Sequence, residues 1–454
     1  VRQGTSGKTT GRLSGHLPAA LAVLLFALPA SLPVHAGELR VLVEGETGVR
    51  NDGNLRQVGK QAGQPADPGS VVADQQAQDV ARAALRLLLS YNARQRFDLA
   101  LGYTPSYERS LDDSTLAGTT HRLDLGLRGA LTRRLSMDVR ERLMSTPGLD
   151  LYTPATAPES VALTRRGRQL SHSLDIGLHN ELTRRATLEV GLMHSLRRFE
   201  SGDLADARSI GASLGAGFHF AEDHALDVTA GLQRFSWQRG REANVRSVQA
   251  GYSYPFSRYT QIRLEAGSFY VEEKRPVRFV DGVPVPVGDP GEPGPASKSG
   301  WRGGVQLSQE RRLVHWNIGY RHDVAPGYGV SRPVEVDNGF AGASMNIGRR
   351  LVLGVDGNGS RQKDLKGEIS GPLTEFATGT LRASWGLTPT LRLTGGYSRV
   401  WQKSRVRLFD DLSYDRYFLG LAFRIYHTGE NPRAPEELER RGEPTDADAK
   451  PDVP

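Results

Sequence analysis

From Leu85 to Tyr426 the chain is written in segments of roughly ten residues in which apolar and polar side chains alternate. Leu123, Leu125, Leu127 and Leu131 alternate with Arg122, Asp124, Gly126, Arg128 and Ala130, and Leu174, Ile176 and Leu178 alternate with Ser173, Asp175, Gly177 and His179. A period of two belongs to an extended strand with unlike faces, whereas apolar positions on a helix recur every three to four residues. About seventeen such segments follow one another with almost no helical pattern between them. That is too many for one sandwich and suits a sheet closed on itself.

A closed sheet also settles an apparent conflict over membranes. Mean hydropathy is −0.43, and no stretch after residue 36 approaches the roughly 18 apolar residues that a spanning helix needs. In a barrel only alternate residues meet lipid, and closure pairs every backbone group, so half of each strand is free to be polar. The expected fold is therefore all-β: an up-and-down antiparallel transmembrane barrel.

Short turns and long loops alternate along the chain. The short set is Asn92 to Gln95, Leu131 to Arg134, Leu182 to Arg185, Ala221 to His224, Phe256 to Tyr259, Glu310 to Leu313, Gly348 to Leu351 and Leu387 to Thr390. Short turns lie on the periplasmic side of such barrels, which places both termini there and requires an even strand number. Leu39 to Arg50 alternates and supplies the missing strand, giving about eighteen, with Asn51 to Asp79 as the first outer loop. A helix over Val71 to Leu89, with Val80, Ala84, Leu87 and Leu88 at helical spacing, is the alternative and gives sixteen strands. The hexapeptides Gly129 to Arg134 and Asn180 to Arg185 echo each other across two turns, by duplication or convergence.

The ends differ from the body. Arg2, Lys8 and Arg12, an apolar run from Leu17 to Leu32, and Val34-His35-Ala36 form a secretory signal pattern with cleavage near Ala36. The expected division is 1–36 signal peptide, 37–84 first strand and long loop or N-terminal extension, 85–426 barrel and 427–454 tail. The tail is rich in Pro and Glu, a disordered composition. The chain has no cysteine, so no disulfide framework supports it.

Candidate chemistry lies on the polar phase of the strands. Arg122, Arg128, Arg140, Arg142, Arg263, Arg302, Arg321, Arg382, Arg392 and Arg424 fall there, opposed by Asp98, Asp124, Asp138, Asp175, Glu189, Asp227, Glu265 and Asp356. Two readings are open: cross-strand pairs that merely line a solvated wall, or an anion-attracting lining. Many glycines share that phase, which leaves room in a lumen or eases curvature. The Pro-rich segment Pro276 to Ser299 is expected to resist ladder pairing, either folded into the lumen or facing solvent.

Other chemistries find little support. Gly211-Ala212-Ser213-Leu214-Gly215 matches a nucleophile-elbow pattern but lies mid-strand, where the required strand-to-helix turn is missing. His172 and Ser173 are neighbours and so point to opposite faces. No spacing suits a metal and no phosphate loop is present, so neither catalysis nor a cofactor is expected. The net charge of +7 is dispersed rather than gathered on one element, which argues against nucleic acid. Arg405 and Arg407 are candidates for lipopolysaccharide phosphates.

Tyr417 to Tyr426 carries Leu419, Leu421, Phe423 and Ile425 on one face and Gly420, Ala422, Arg424 and Tyr426 on the other. With Gly420, Phe423 and Tyr426 as anchors it resembles the insertion signal that closes Gram-negative outer-membrane β-barrels, although here His427 to Pro454 follow. By pattern, Leu39 to Tyr426 resembles the large porin and exopolysaccharide-export barrels, without the helical periplasmic extension that many exporters carry. The resemblance implies an outer-membrane pore that passes solute or secreted polymer, an anionic polysaccharide included, without chemistry. A general or anion-leaning diffusion porin is the alternative, and a poreless structural or surface-interaction barrel is a third. The implied partners are outer-membrane lipid, lipopolysaccharide, the barrel-insertion machinery and periplasmic export components.

Overall fold

The computed structural model describes residues 38–52, 78–93, 97–111, 117–146, 168–200, 205–221, 224–238, 241–274, 277–280, 283–286, 297–327, 332–365, 372–404 and 412–428. The expected signal peptide, the tail beyond residue 428, and Arg405 and Arg407 lie outside the described residues.

Alternation becomes strand throughout. The strands are β1 (Glu38–Asp52), β2 (Gln78–Ala93), β3 (Phe97–Ser110), β4 (Ala117–Ala130), β5 (Leu135–Thr146), β6 (Gln169–Glu181), β7 (Ala186–Phe199), β8 (Ala207–Ala221), β9 (His224–Trp237) and β10 (Glu242–Ser257). There follow β11 (Thr260–Lys274), β12 (Val277–Val280), β13 (Val283–Pro286), β14 (Ser297–Glu310), β15 (Val314–Ala325), β16 (Val334–Ile347), β17 (Leu351–Asp364), β18 (Pro372–Gly386), β19 (Leu391–Ser404) and β20 (Leu412–Thr428). All but β12 and β13 form one 18-stranded sheet in which each strand pairs antiparallel with its chain neighbours. β20 pairs with β1 from Arg40 opposite Thr428 to Asp52 opposite Arg416, so the sheet closes and has no free edge.

Two expectations are corrected. Residues 78–89 are strand rather than helix, and the barrel begins at Glu38, so the sixteen-strand alternative is not realised. A ladder is available from β1 on one side and β3 on the other, and the strand phase gives Arg86 the carboxylate of Glu44 at 3.2 Å. Within the Pro-rich loop, β12 and β13 pair as a short ribbon that includes Pro284 and Pro286. Each strand of a two-stranded ribbon has an unpaired edge, so a missing N–H there costs nothing.

The expected short turns fall where β2 meets β3, β4 meets β5 and so on around the barrel. In two of them a threonine fixes the shape: Thr132 Oγ1 accepts from the Arg134 and Leu135 amides at 3.2 and 3.0 Å, and Thr183 Oγ1 from those of Arg185 and Ala186 at 3.2 and 3.0 Å. Thr388 repeats the device toward Thr390 and Leu391. The turns hold exposed arginine pairs, Arg133 with Arg134, Arg184 with Arg185, Arg311 with Arg312 and Arg349 with Arg350, and Arg258 stands alone on another.

Register assigns the faces. Leu192, Leu214, Leu232, Val248, Ile318, Leu381 and Leu419 all lie on one face and are exposed, together making an apolar belt that only lipid can cover. Phe218, Phe220, Phe256 and Trp385 are exposed at its turn-side edge, where amphipathic rings favour the interface. Toward the long loops the same face turns charged and self-paired: Arg234 with Glu242 at 2.5 Å, Arg361 with Glu375 at 3.2 Å and Lys363 with Asp337 at 2.8 Å. The strands therefore rise beyond the belt on the loop side.

β20 forms the seam with β1. Phe423 faces outward and its ring lies over Gly45 of β1, where any Cβ would collide with it. Gly420 sits against the β1 backbone at Thr47 and Gly48, and Tyr426 stands opposite Leu42 in the register. The three insertion-signal candidates thus all fall at the closing seam.

Candidate passage along β4 to β7

The polar face looks inward, because its side chains meet across staves that are not neighbours. Trp237 at the loop end of β9 donates from Nε1 to the carbonyl oxygen of Pro326, just past β15, at 2.9 Å. β10, β11 and β14 lie between them along the sheet. Around this contact Phe235, Ala243, Val245, Phe269, Val271 and Leu365 form one buried cluster. Phe235 and Trp237 meet edge to face at 6.1 Å. Val334 and Val336 belong to a second cluster, and Phe376, Val400 and Tyr414 to a third.

Burial on the inward face is consequently lopsided. Toward the loops it is complete on most staves: Phe235 and Val271 are 0 % exposed and Gln402 1 %. Polar groups share this zone, with Arg50 of β1 reaching across β2 to Glu108 of β3 in two hydrogen bonds of 3.0 and 3.2 Å. The broadest exception is the sector β4 to β7, with Lys298, Gly300 and Arg302 on the single stave β14 as a narrower one. Thr120, Arg122, Arg142, Ser171, Ser173, Ser195 and Arg197 all retain solvent exposure there, and only Thr146, the last residue of β5, is buried. Toward the turns the inward face is accessible on nearly every stave. Among the described residues the inward face is accessible on the turn side and covered toward the loops except along β4 to β7 and on β14.

Register puts all ten predicted arginines on this inward face, and eight of them have acid partners. Arg122 and Arg142 both bind Asp124, at 2.7 and 2.9 Å. Arg140 is 3.9 Å from Asp138, and Arg263 lies 2.8 Å from Glu265 and 3.4 Å from Asp227. Arg302 and Arg321 share Asp323 at 2.9 and 3.6 Å, and Arg302 also donates to Ser247 of β10 at 2.8 Å. Arg382 pairs with Asp356 and Arg424 with Glu44. Arg128 and Arg392, both near the turn side, make no ion pair among the described residues. Most of the inward charge is thus neutralised where it stands.

What the structure singles out is a sector, which brings together Arg122, Arg128, Arg140 and Arg142 and separates them from the other six. In its narrow, loop-side half, from the level of Asp124, Arg142 and Ser173 upward, the charged residues are Arg122, Arg142, Arg197 and Asp124. Three cations less one anion leave +2 among the described residues. Arg197 was absent from the sequence-derived set, although its alternation with Met193 and Ser195 on β7 marks it as inward. Lower down, Asp138, Asp175 and the pair His179 with Glu189 at 3.0 Å restore balance. Among the described residues no group of three or more His, Cys, Asp or Glu is placed to hold a metal. Gly211 to Gly215, the elbow-like pentapeptide, lies within the β8 ladder.

No protein-family model and no curated protein matches the chain. Solved structures with a similar trace include the outer membrane protein opdK of Pseudomonas aeruginosa, 9 % identical, with 86 % of this chain and 99 % of that one covered and a TM-score of 0.41. OccAB3 of Acinetobacter baumannii is 8 % identical over 86 % and 99 % of the chains, with a TM-score of 0.42. The FrpB iron transporter of Neisseria meningitidis is 10 % identical over 88 % and 82 %, with a TM-score of 0.42. On its own geometry, with eighteen strands, closure, an apolar outer belt, a polar interior and alternating short turns and long loops, the chain is a transmembrane β-barrel of the Gram-negative outer-membrane type.

Proposed function

We propose that the barrel is a channel for small polar solutes, leaning toward anions and acting without chemistry, whose narrow part is the passage along β4 to β7. The observation that carries this reading is the lopsided burial: inward side chains are buried toward the loops on most staves and accessible on four adjacent ones, Thr146 at the loop end of β5 excepted. A wall with paired charges offers hydration without strong binding, which is what a conducting path needs. The residual cations of the narrow half favour anions, because low-dielectric walls focus their field. Small solutes suit this geometry better than a secreted polymer, since a bulky chain would need the sealed sector as well.

The test is single-channel recording of the refolded chain in a planar bilayer under a salt gradient. A steady conductance with a reversal potential on the anion side supports the proposal. A silent barrel favours a structural role, and cation preference removes the anion assignment.

A further inference from the structure

The turn-side arginines differ in kind from those on the strands. Eight of the ten predicted strand arginines have a carboxylate, and outer charges near the loops include pairs such as Arg234 with Glu242 and Arg361 with Glu375, although Arg109, Arg198, Arg208, Lys274 and Lys403 there make none among the described residues. The four arginine pairs and Arg258, by contrast, make no ion pair with any described residue. All nine are exposed, and the acids nearest them in the chain, Glu181 and Glu310, do not pair with them either. Like charges set around one rim repel, and no described residue supplies their counter-charge.

Position indicates which anion. The turns stand directly beneath the apolar belt and its aromatic edge, and the guanidinium groups of Arg258 and Arg311 each lie 5.8 Å from the centre of the Tyr259 ring. Lipid phosphates occupy that level. Distribution agrees: Arg133, Arg134, Arg184 and Arg185 adjoin the passage sector, but Arg258, Arg311, Arg312, Arg349 and Arg350 sit on turns from β10 to β17, away from the path that a solute would take. A set built to steer cargo would gather at the passage, whereas a set built for the surrounding bilayer would encircle the barrel. The threonine-fixed turns keep their shape through backbone and threonine-hydroxyl hydrogen bonds, so the arginine side chains are available to an external partner.

We propose that the turn-side arginines form a collar that binds anionic phospholipid headgroups of the leaflet on that side, the periplasmic leaflet in barrels of this build. Each arginine near an anionic surface strengthens binding by about fivefold. The inference stands whether or not the barrel conducts.

The experiment is native mass spectrometry of the folded barrel in detergent, offered equal amounts of phosphatidylglycerol and phosphatidylethanolamine, and separately tripolyphosphate. The intact chain is expected to retain phosphatidylglycerol at least tenfold over phosphatidylethanolamine. A variant with all four pairs changed from Arg to Ser is expected to lose that preference while keeping the heat-dependent gel shift of a folded barrel. Should the full variant fail to fold, Arg311→Ser, Arg312→Ser, Arg349→Ser and Arg350→Ser together are expected to reduce the preference. Equal retention of the two lipids, or an unchanged preference in the folded variant, overturns the proposal. So does tripolyphosphate bound as tightly as phosphatidylglycerol and lost in the same variant, which would make the collar a site for soluble anions.

Discussion

Changing Arg122, Arg142 and Arg197 together to Gln is expected to invert the ion preference of the channel. In the intact passage Arg122 and Arg142 share Asp124, and with Arg197 the described charges of the narrow half sum to +2. Removing them leaves −1, because Asp124 then has lost both guanidinium partners. A unit charge roughly 8 Å from a passing ion is worth about 0.5–2 kcal/mol at effective dielectric constants between 80 and 20. A change of three charges is therefore expected to shift the anion-to-cation permeability ratio by about tenfold or more. Arg142→Gln alone should do far less, since Arg122 still holds Asp124 at 2.7 Å. Arg263→Gln, outside the passage on the turn side of β11 and bound by two acids, serves as the comparison and should leave selectivity nearly unchanged. Reversal potentials in a salt gradient report all three variants. Equal effects from Arg263 and from the triple change would mean that ions do not follow β4 to β7.

Trp237→Ala is expected to open the sealed sector. The indole fills the junction between β9 and the segment after β15, and its N–H satisfies the Pro326 carbonyl at 2.9 Å. Truncating a buried tryptophan typically costs about 3–5 kcal/mol, and the cavity it leaves lies on the lumen side. The loss falls on the contact that joins distant staves and not on the ladder, whose backbone pairing continues on both sides of β9. The barrel is thus expected to stay closed and keep its gel shift, while unit conductance rises and ion preference weakens. Leu232→Ala, on the same strand but exposed to lipid, should change neither. A Trp237→Ala channel with unaltered conductance would show that this cluster does not limit the path.

Much of this was legible in the amino-acid sequence, for a physical reason. Alternation is a local property, so the strands, their faces and the short turns can be read wherever lipid and water differ sharply. Leu123 to Leu127 and the flanking Arg122 and Arg128 are examples. Parity then required a further strand, and Leu39 to Arg50 supplied it. The passage was not legible, because it depends on which inward side chains are covered by residues far away in the chain. Phe235 and Arg142 occupy the same phase of the same pattern, yet one is wholly buried and the other lines a path. Pairing was only half legible. Asp124 stands two residues from Arg122, but its second partner, Arg142, becomes a neighbour only through the β4–β5 register. The helical spacing of Val80, Ala84, Leu87 and Leu88 misled, because two neighbouring strands outweigh any local preference of residues 78–89.

The central claim is that the open path runs along β4 to β7, and cysteine accessibility tests it most directly because the chain has no cysteine of its own. Ser195→Cys places a single thiol on the inward face of β7, and Ser360→Cys places one on the inward face of β17, where Ser360 is 6 % exposed. A charged thiol reagent added during single-channel recording is expected to react at residue 195 and cut the current in a step, and to leave the channel with the residue 360 thiol unaffected. Current block at residue 360 with none at residue 195 would contradict the account.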